Sequence, residues 1–442
     1  MANDLLKNIN ISSFTKSDVL KKRVFFTIAV LFVYRLGTYI PIPGLDPLVI
    51  GRFMAQNMRG IFSMLDMFSG GSLSRMTIFA LNLMPYISAS IIVQIMTYAS
   101  PQLAVLRKEG AAGRTKLNQY TRYLTILIAA FQAYGICVAL GYMPENPITI
   151  GKIFPLIGVP TLVGGTMLLM WLGEQITSRG IGNGVSLLIY AGIIANVPNA
   201  LARLLDMGRA GALSVGAIVS VILFIAFLVM VVVFFEKAQR RVKFMYPGKR
   251  GSGQQMQGAD NTHLPLKLNA SGVIPPIFAN SLLLLPATIV NWCGNSGNNA
   301  FMQKLSYYLN FNHPVFTLVY AALIIFFAFF YTAIVFNSEE TAENLKKSGG
   351  FIPGVRPGIH TADYFDYILT RITVVGSIYL VAICIFPQML LAKLAIPAYL
   401  SGTSILIVVS VAIDTVTQIY THLLSQRYEG LLKRNQKRLN RK

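Results

Sequence analysis

The sequence predicts an all-α polytopic membrane protein with ten transmembrane helices, and three observations carry that expectation. Hydrophobic residues make up 54% of the 442 residues and charged residues only 12%, about half the ~25% usual in a soluble domain. Apolar runs long enough to cross a ~30 Å hydrocarbon core recur along the chain. The basic residues behind the formal net charge of +21 gather on alternate connections, as on loops retained at one face of a membrane.

The spans fall near Val24 to Tyr39, Thr77 to Tyr98, Tyr123 to Tyr142, Thr161 to Ile176, Val185 to Leu205, Leu213 to Phe235, Ala270 to Trp292, Pro314 to Phe336, Tyr367 to Phe386 and Ile396 to Tyr420. The first ends in Thr38-Tyr-Ile-Pro-Ile-Pro-Gly44 rather than at a small-residue cleavage site, so it is expected to stay in the membrane and not to act as a cleavable signal. Placing the amino terminus inside puts 29 of the 38 basic residues on the cytoplasmic side, and both termini with them.

Between the first two spans, Gly60 to Arg75 contains a short apolar segment. From Ile61 to Phe68 only Ser63 and Asp66 are polar, three residues apart and so on one helical stripe. A helix of about eight residues reaches about 12 Å, too little to cross. It either lies in the membrane surface or folds back inside protein beside an aqueous cavity, and the residues leave both open.

Pro85 in the second span and Pro275 with Pro276 in the seventh remove backbone donors and predict kinks. Ser88, Ser90 and Gln94, then Gln132, then Ser271 to Ser281 form polar neutral stretches, readable as interhelical glue or as a seam that can open. Gly180, Gly182 and Gly184 around Asn183 predict a tight turn between the fourth and fifth spans. It is no phosphate loop, since no strand precedes it and no lysine follows. Arg35, Glu174, Asp414 and Arg371 are the ionisable groups in or near spans, too few to converge as the carboxylates of a coupled carrier would. Gln239 to Asn269 and Asn337 to Asp366 make two basic connections far longer than the 2–8 residues usual between helices. Cys137, Cys293 and Cys384 are scattered, as are His263, His313, His360 and His422, so neither a disulfide framework, a metal site nor a catalytic signature follows.

Several motifs resemble one family closely. Met67-Phe-Ser-Gly-Gly-Ser-Leu-Ser-Arg75, Met84-Pro-Tyr-Ile-Ser-Ala-Ser90, Trp171-Leu-Gly-Glu-Gln-Ile-Thr177 with Arg179-Gly-Ile-Gly-Asn-Gly184, Thr262-His-Leu-Pro-Leu-Lys267, Pro353-Gly-Val-Arg-Pro-Gly358 and Gly402-Thr-Ser-Ile-Leu-Ile-Val-Val409 look like bacterial SecY, the channel-forming family of the Sec protein translocase. The resemblance runs from about Lys22 to about Arg434.

That resemblance implies two inverted pseudo-symmetric halves of five spans, 1–205 and 206–422, with cytoplasmic loops 236–269 and 337–366 and a basic tail 423–442. Ile61, Phe62, Met64, Leu65, Met67, Phe68, Gly70 and Gly71 would belong to a re-entrant plug half-helix over about 61–75, with the glycine pair as its hinge. Leu83, Ile87, Val185, Ile189, Ile277 and Ile407 would form the pore ring; Leu83 and Val185 depart from the family's usual isoleucine. Ser88, Gln132, Asn280 and Ser281 would line a lateral gate. Arg240, Arg241 and Arg356 would dock the ribosome or the motor ATPase SecA.

The implied function is passage of unfolded preproteins across, and of membrane segments into, the bacterial inner membrane, without enzymatic activity or cofactor. The implied partners are SecE and SecG as companion subunits, SecA, the ribosome, SecD/SecF, YidC and membrane lipid, with no sequence-specific nucleic acid. The alternatives from other classes are a solute transporter built on inverted repeats, which needs a polar midplane pocket, and an intramembrane enzyme, which needs a nucleophile or metal constellation.

Overall fold

The computed structural model describes residues 18–47, 49–52, 66, 69–141, 147–149, 151–211, 214–245, 261–283, 313–393 and 401–439. In chain order these form α1 (Asp18–Gly37), α2 (Met84–Ala99), α3 (Pro101–Lys108), α4 (Ala111–Gly141), α5 (Phe154–Arg179), α6 (Gly184–Arg209) and α7 (Val215–Lys237). There follow β1 (Gln239–Met245), β2 (Asn261–Lys267), α8 (Ile274–Leu283), α9 (Pro314–Val335), α10 (Ser338–Lys347), α11 (Ile359–Lys393) and α12 (Gly402–Leu439). Among the described residues seven helices are long and apolar enough to cross a membrane, or eight if the bent pair α2 and α3 is one span. Of the other two predicted spans, α1 covers the first and carries Asp18, Lys21, Lys22, Arg23 and Arg35. The seventh is covered by α8 only as far as Leu283.

The chain divides into two compact units, Met1–Arg203 with Ile407–Lys442, and Leu204–Leu406. In the first, α4 packs against α2 and α5, and α1 against α5. Ile42, Leu73, Met76, Ala129, Ala133, Cys137, Phe154 and Leu162 share one buried apolar cluster. The glycine-rich turn is a packing corner: the Gly184 amide donates to Thr177 Oγ1 at 2.9 Å and the Gly182 amide to Gln418 Oε1 at 2.8 Å. A side chain at Gly184 would collide with the Gly173 carbonyl, so glycine here sets how closely α6 approaches α5.

Two expectations are corrected. The prolines do not kink their helices but begin them: Pro85 stands in the first turn of α2, and Pro275 and Pro276 in the first turn of α8. The amides they lack would have had no partner inside the helix there. The sharp bend lies at the other end of α2, where it meets α3 at 105° across Ser100, just before Pro101, whose ring disfavours helical backbone in the residue ahead of it. The second span, expected to be helical from Thr77, runs through turns until Leu83.

In the second unit, α9 and α10 both pack on α11. The first long basic connection is an antiparallel hairpin, with Gln239 opposite Lys267 and Met245 opposite Asn261. The second contains α10, capped by Asn337, whose Oδ1 accepts from the Glu340 amide at 3.3 Å. Its Glu339 and Glu340 sit in the first turn and Lys346 and Lys347 in the last, matching the helix dipole at both ends. By contrast, only 17% of the apolar stretch of α7 is buried, and Val215, Leu223 and Phe234 are largely exposed, a surface suited to lipid.

Candidate functional site

Residues 69–83 are irregular backbone, largely buried. Local side chains explain why they avoid the helix. Ser69 Oγ donates to the Asp66 carbonyl at 3.0 Å, Ser72 Oγ to the Ser69 carbonyl at 2.6 Å and Ser74 Oγ to the Gly71 carbonyl at 3.0 Å, bonds that compete with a helical ladder. Met76 and Asn82 adopt positive φ of 44° and 50°, which non-glycine residues do only when their surroundings impose it. The segment is paired from outside itself: the Ile42 amide donates to the Met76 carbonyl at 3.1 Å and the Ile78 amide to the Ile40 carbonyl at 3.0 Å. Buried irregular backbone at membrane depth is stable only with such pairing.

The start of this stem is held by side chains of α1 and α6. Arg35 Nη1 donates to the Gly70 carbonyl at 2.9 Å, Tyr34 Oη to the Ser69 carbonyl at 3.5 Å and Asn196 Nδ2 to the Asp66 carbonyl at 3.3 Å. Gly70 and Gly71 have φ of +69° and +84°, and a Cβ on Gly70 would stand 3.1 Å from the Gly192 Cα. The pair therefore builds a buried turn lying close against α6. The Asp66 side chain accepts from the Ser74 amide at 2.8 Å. Burial pushes its carboxyl above the ordinary range, outweighing the pull of Ser74 and Arg75. Outside this turn, Tyr39 accepts from Arg35 Nη2 at 3.0 Å, and its ring lies 4.3 Å from the Arg75 guanidinium carbon. Arg35 stands out in the sequence without a role, and Tyr34 and Asn196 do not stand out at all; nothing in their spacing announces that they converge.

The remaining sequence-derived residues fall as follows. Ile61, Phe62, Met64, Leu65, Met67 and Phe68 lie outside the described residues. In the first unit Leu83, Ile87, Ile189 and Ile407 are buried, and Val185, in the first turn of α6, is half-buried. Ser88 on α2 and Gln132 on α4 are buried. In the second unit Ile277 is half-buried on α8. The Ile277 carbonyl accepts from Ser281 Oγ at 2.9 Å, and Asn280 lies against Tyr320. Glu174 is paired with Arg122 at 2.6 Å at a partly exposed position. No group of three or more His, Cys, Asp or Glu that could hold a metal occurs among the described residues. Cys137 and Cys384 are buried, and Cys293 lies outside the described residues.

The three candidate docking arginines share one platform. Arg240 and Arg241 stand exposed on β1 and Arg356 on the Pro353 to Gly358 turn. The two segments are bridged by paired bonds between Met245 and Phe351, at 2.9 and 3.0 Å. Beneath them Val242 and Leu266 bury against Ile352, Phe365, Ile368 and Ile372.

A multi-pass helical protein whose interior holds buried, tethered, non-helical backbone belongs to the class of membrane channels and transporters. The family model SecY matches residues 77–416 of this chain. Protein translocase subunit SecY of Rickettsia conorii is 53% identical over 429 residues, covering 96% of this chain and 98% of that protein. The chain belongs to the SecY family, and is a multi-pass membrane protein and the channel subunit of a protein translocase. Two solved structures share the fold at 18% identity, each covering 90% of this chain and 92% of the other. One, with a TM-score of 0.67, is described as the structure of a protein conducting channel. The other, with a TM-score of 0.65, is a channel in a canine ribosome-channel complex from the endoplasmic reticulum.

Proposed function

We propose that an extended preprotein crosses this chain through a constriction of Leu83, Ile87, Val185, Ile189, Ile277 and Ile407, while residues 61–75 seal the resting path from outside. An apolar ring suits that task because it closes around any sequence and resists wetting when empty. Apolar segments leave sideways past Ser88, Gln132, Asn280 and Ser281. The energy comes from outside the chain, which catalyses no bond chemistry itself. The observation that carries this reading is the buried stem 69–83 with Asp66 at its start, fastened to α1 at the Ser69 and Gly70 carbonyls and to α6 at the Asp66 carbonyl by side-chain bonds, a construction that releases at modest cost. A transporter reading has no comparable support.

On the cytoplasmic side, Arg240, Arg241 and Arg356 dock a ribosome or the motor SecA. Permanently charged, forked guanidinium donors match RNA phosphate or surface carboxylates, and an exposed arginine on a turn braced by Pro353 and Pro357 is placed for presentation. SecE and SecG flank the channel, SecD/SecF and YidC act beside it, and both termini face the cytoplasm of a bacterial inner membrane.

A photo-crosslinker at Ile87 or Ile277, with a secretory precursor stalled part-way, is expected to capture that precursor; functional protein without adducts would sink the channel path. Arg356→Glu is expected to impair motor- or ribosome-driven export while the channel still inserts, and normal export rates would remove Arg356 from docking.

A further inference from the structure

Glu236 is costly where it stands. It closes the last turn of α7, where a negative charge opposes the helix dipole, and it is 8% exposed, so its desolvation must be offset. The next residue, Lys237, is exposed. Glu236 Oε1 accepts from Asn269 Nδ2 at 2.8 Å, and that same nitrogen donates to the Gly272 carbonyl at 3.2 Å. Asn269 Oδ1 accepts from Ser271 Oγ at 3.2 Å. Asn269 and Ser271 are 4% and 5% exposed. A buried carboxylate therefore organises the turn that leads into α8.

Its position along the chain gives that turn a consequence. The hairpin ladder ends at Gln239 opposite Lys267, and the Leu268 amide continues it by donating to the Ala238 carbonyl at 2.9 Å. The Glu236–Asn269 bond is the next rung, made by side chains. The hairpin is thus zipped to the end of α7 up to the residue where α8's lead-in begins, and only 268–273 separate β2 from α8. Behind the lead-in stands α11: a Cβ on Gly376 would lie 2.9 Å from the Leu268 carbonyl oxygen, and Tyr379 stacks on Phe235 at 4.2 Å. The far end of the hairpin is tied to Phe351 in the segment that carries Arg356.

We propose that the Glu236–Asn269 pair is a positioning joint that makes the cytoplasmic platform and the start of α8 move as one body, so that a load on the platform displaces Ile277. Without the joint, 269–273 would lose its tie to α7 and a displaced hairpin would move α8 less. This inference rests on the docking role of Arg240, Arg241 and Arg356, and the experiment separates the two.

The channel complex is placed in proteoliposomes with Cys137, Cys293 and Cys384 replaced by Ser and with Ile277→Cys as reporter. Non-translating ribosomes serve as the probe, their affinity measured by co-sedimentation and the reporter's accessibility by the rate of thiol labelling. In the parent, ribosomes are expected to change the labelling rate several-fold. Glu236→Ala is expected to bind ribosomes within about twofold of the parent yet lose most of that change, while Glu236→Gln, which keeps an acceptor for Asn269, retains it. If Glu236→Ala does not accumulate, Asn269→Ala is read in its place by the same criteria. A full labelling change in the alanine variant, or an equal loss in Glu236→Gln, overturns the joint. Ribosomes that bind Arg240→Glu as well as the parent count instead against docking.

Discussion

The buried stem and the arginine-bearing platform hold non-helical backbone by opposite means. Residues 69–83 and the Asp66 before them are fastened by separate bonds, in which Arg35, Tyr34 and Asn196 donate to the Gly70, Ser69 and Asp66 carbonyls, and the turns between include positive φ at Met76 and Asn82. The hairpin is fastened by a continuous ladder over an apolar cluster of Val242, Leu266, Ile352, Phe365, Ile368 and Ile372. A net hydrogen bond contributes about 0.5–1.5 kcal/mol, or about 1.5–3 when one partner is charged, so the stem can let go one bond at a time. Core burial is cooperative, and a platform built on it transmits a load instead of yielding to it. One fastening can release piece by piece, whereas the other gives way only as a whole.

The sharpest break is expected on the platform. Val242 is 5% exposed, and Val242→Asp would bury an unpaired charge at a cost of about 3 kcal/mol or more. Limited proteolysis should then cut the 239–267 and 350–358 segments together; a cut confined to the hairpin would show that the apolar cluster does not unite them. On the stem, Arg35→Gln exchanges a charge-assisted bond for a neutral one or none, a loss of about 1.5–3 kcal/mol. Exchange of the Gly71 amide, which is bonded to the Asp66 carbonyl at 2.9 Å, should accelerate by about 10- to 100-fold. An unchanged rate would mean that the fastening lies elsewhere.

The smallest expected change has the opposite sign. The Asp66 carboxyl is raised by burial, so the native stem binds its proton more tightly than the open chain does. Stem stability is therefore greatest below the ordinary carboxylate range and is lost as pH climbs through the raised value. Asp66→Asn keeps an oxygen for the Ser74 amide without the charge. It should slow Gly71 exchange near neutral pH and flatten its pH dependence across the acidic range; faster exchange would show that the ionised carboxylate stabilises the turn.

Legibility tracked the range of the interaction involved. Spans such as α6, α7 and α9 were readable to within a few residues, because each needs only a local run of apolar side chains. The prolines were misread because Pro85, Pro275 and Pro276 look alike in a sequence whether they interrupt a helix or begin one. The serines at 69, 72 and 74 were visible, but their effect depends on Asp66, Ser69 and Gly71 offering carbonyls within reach. Glu236 escaped notice as the end of an apolar run, since its partner stands 33 residues on.

By itself the sequence determined the solvent, most of the apolar spans and, through its motifs, the family, because hydropathy and motif identity are properties of short stretches. Tertiary structure alone decided that residues 69–83 stay irregular and buried, that α1 and α6 hold them, and that the two long basic connections share one core. Those outcomes depend on which donors reach which carbonyls, and a buried polar group is tolerated only where a partner arrives from elsewhere in the chain.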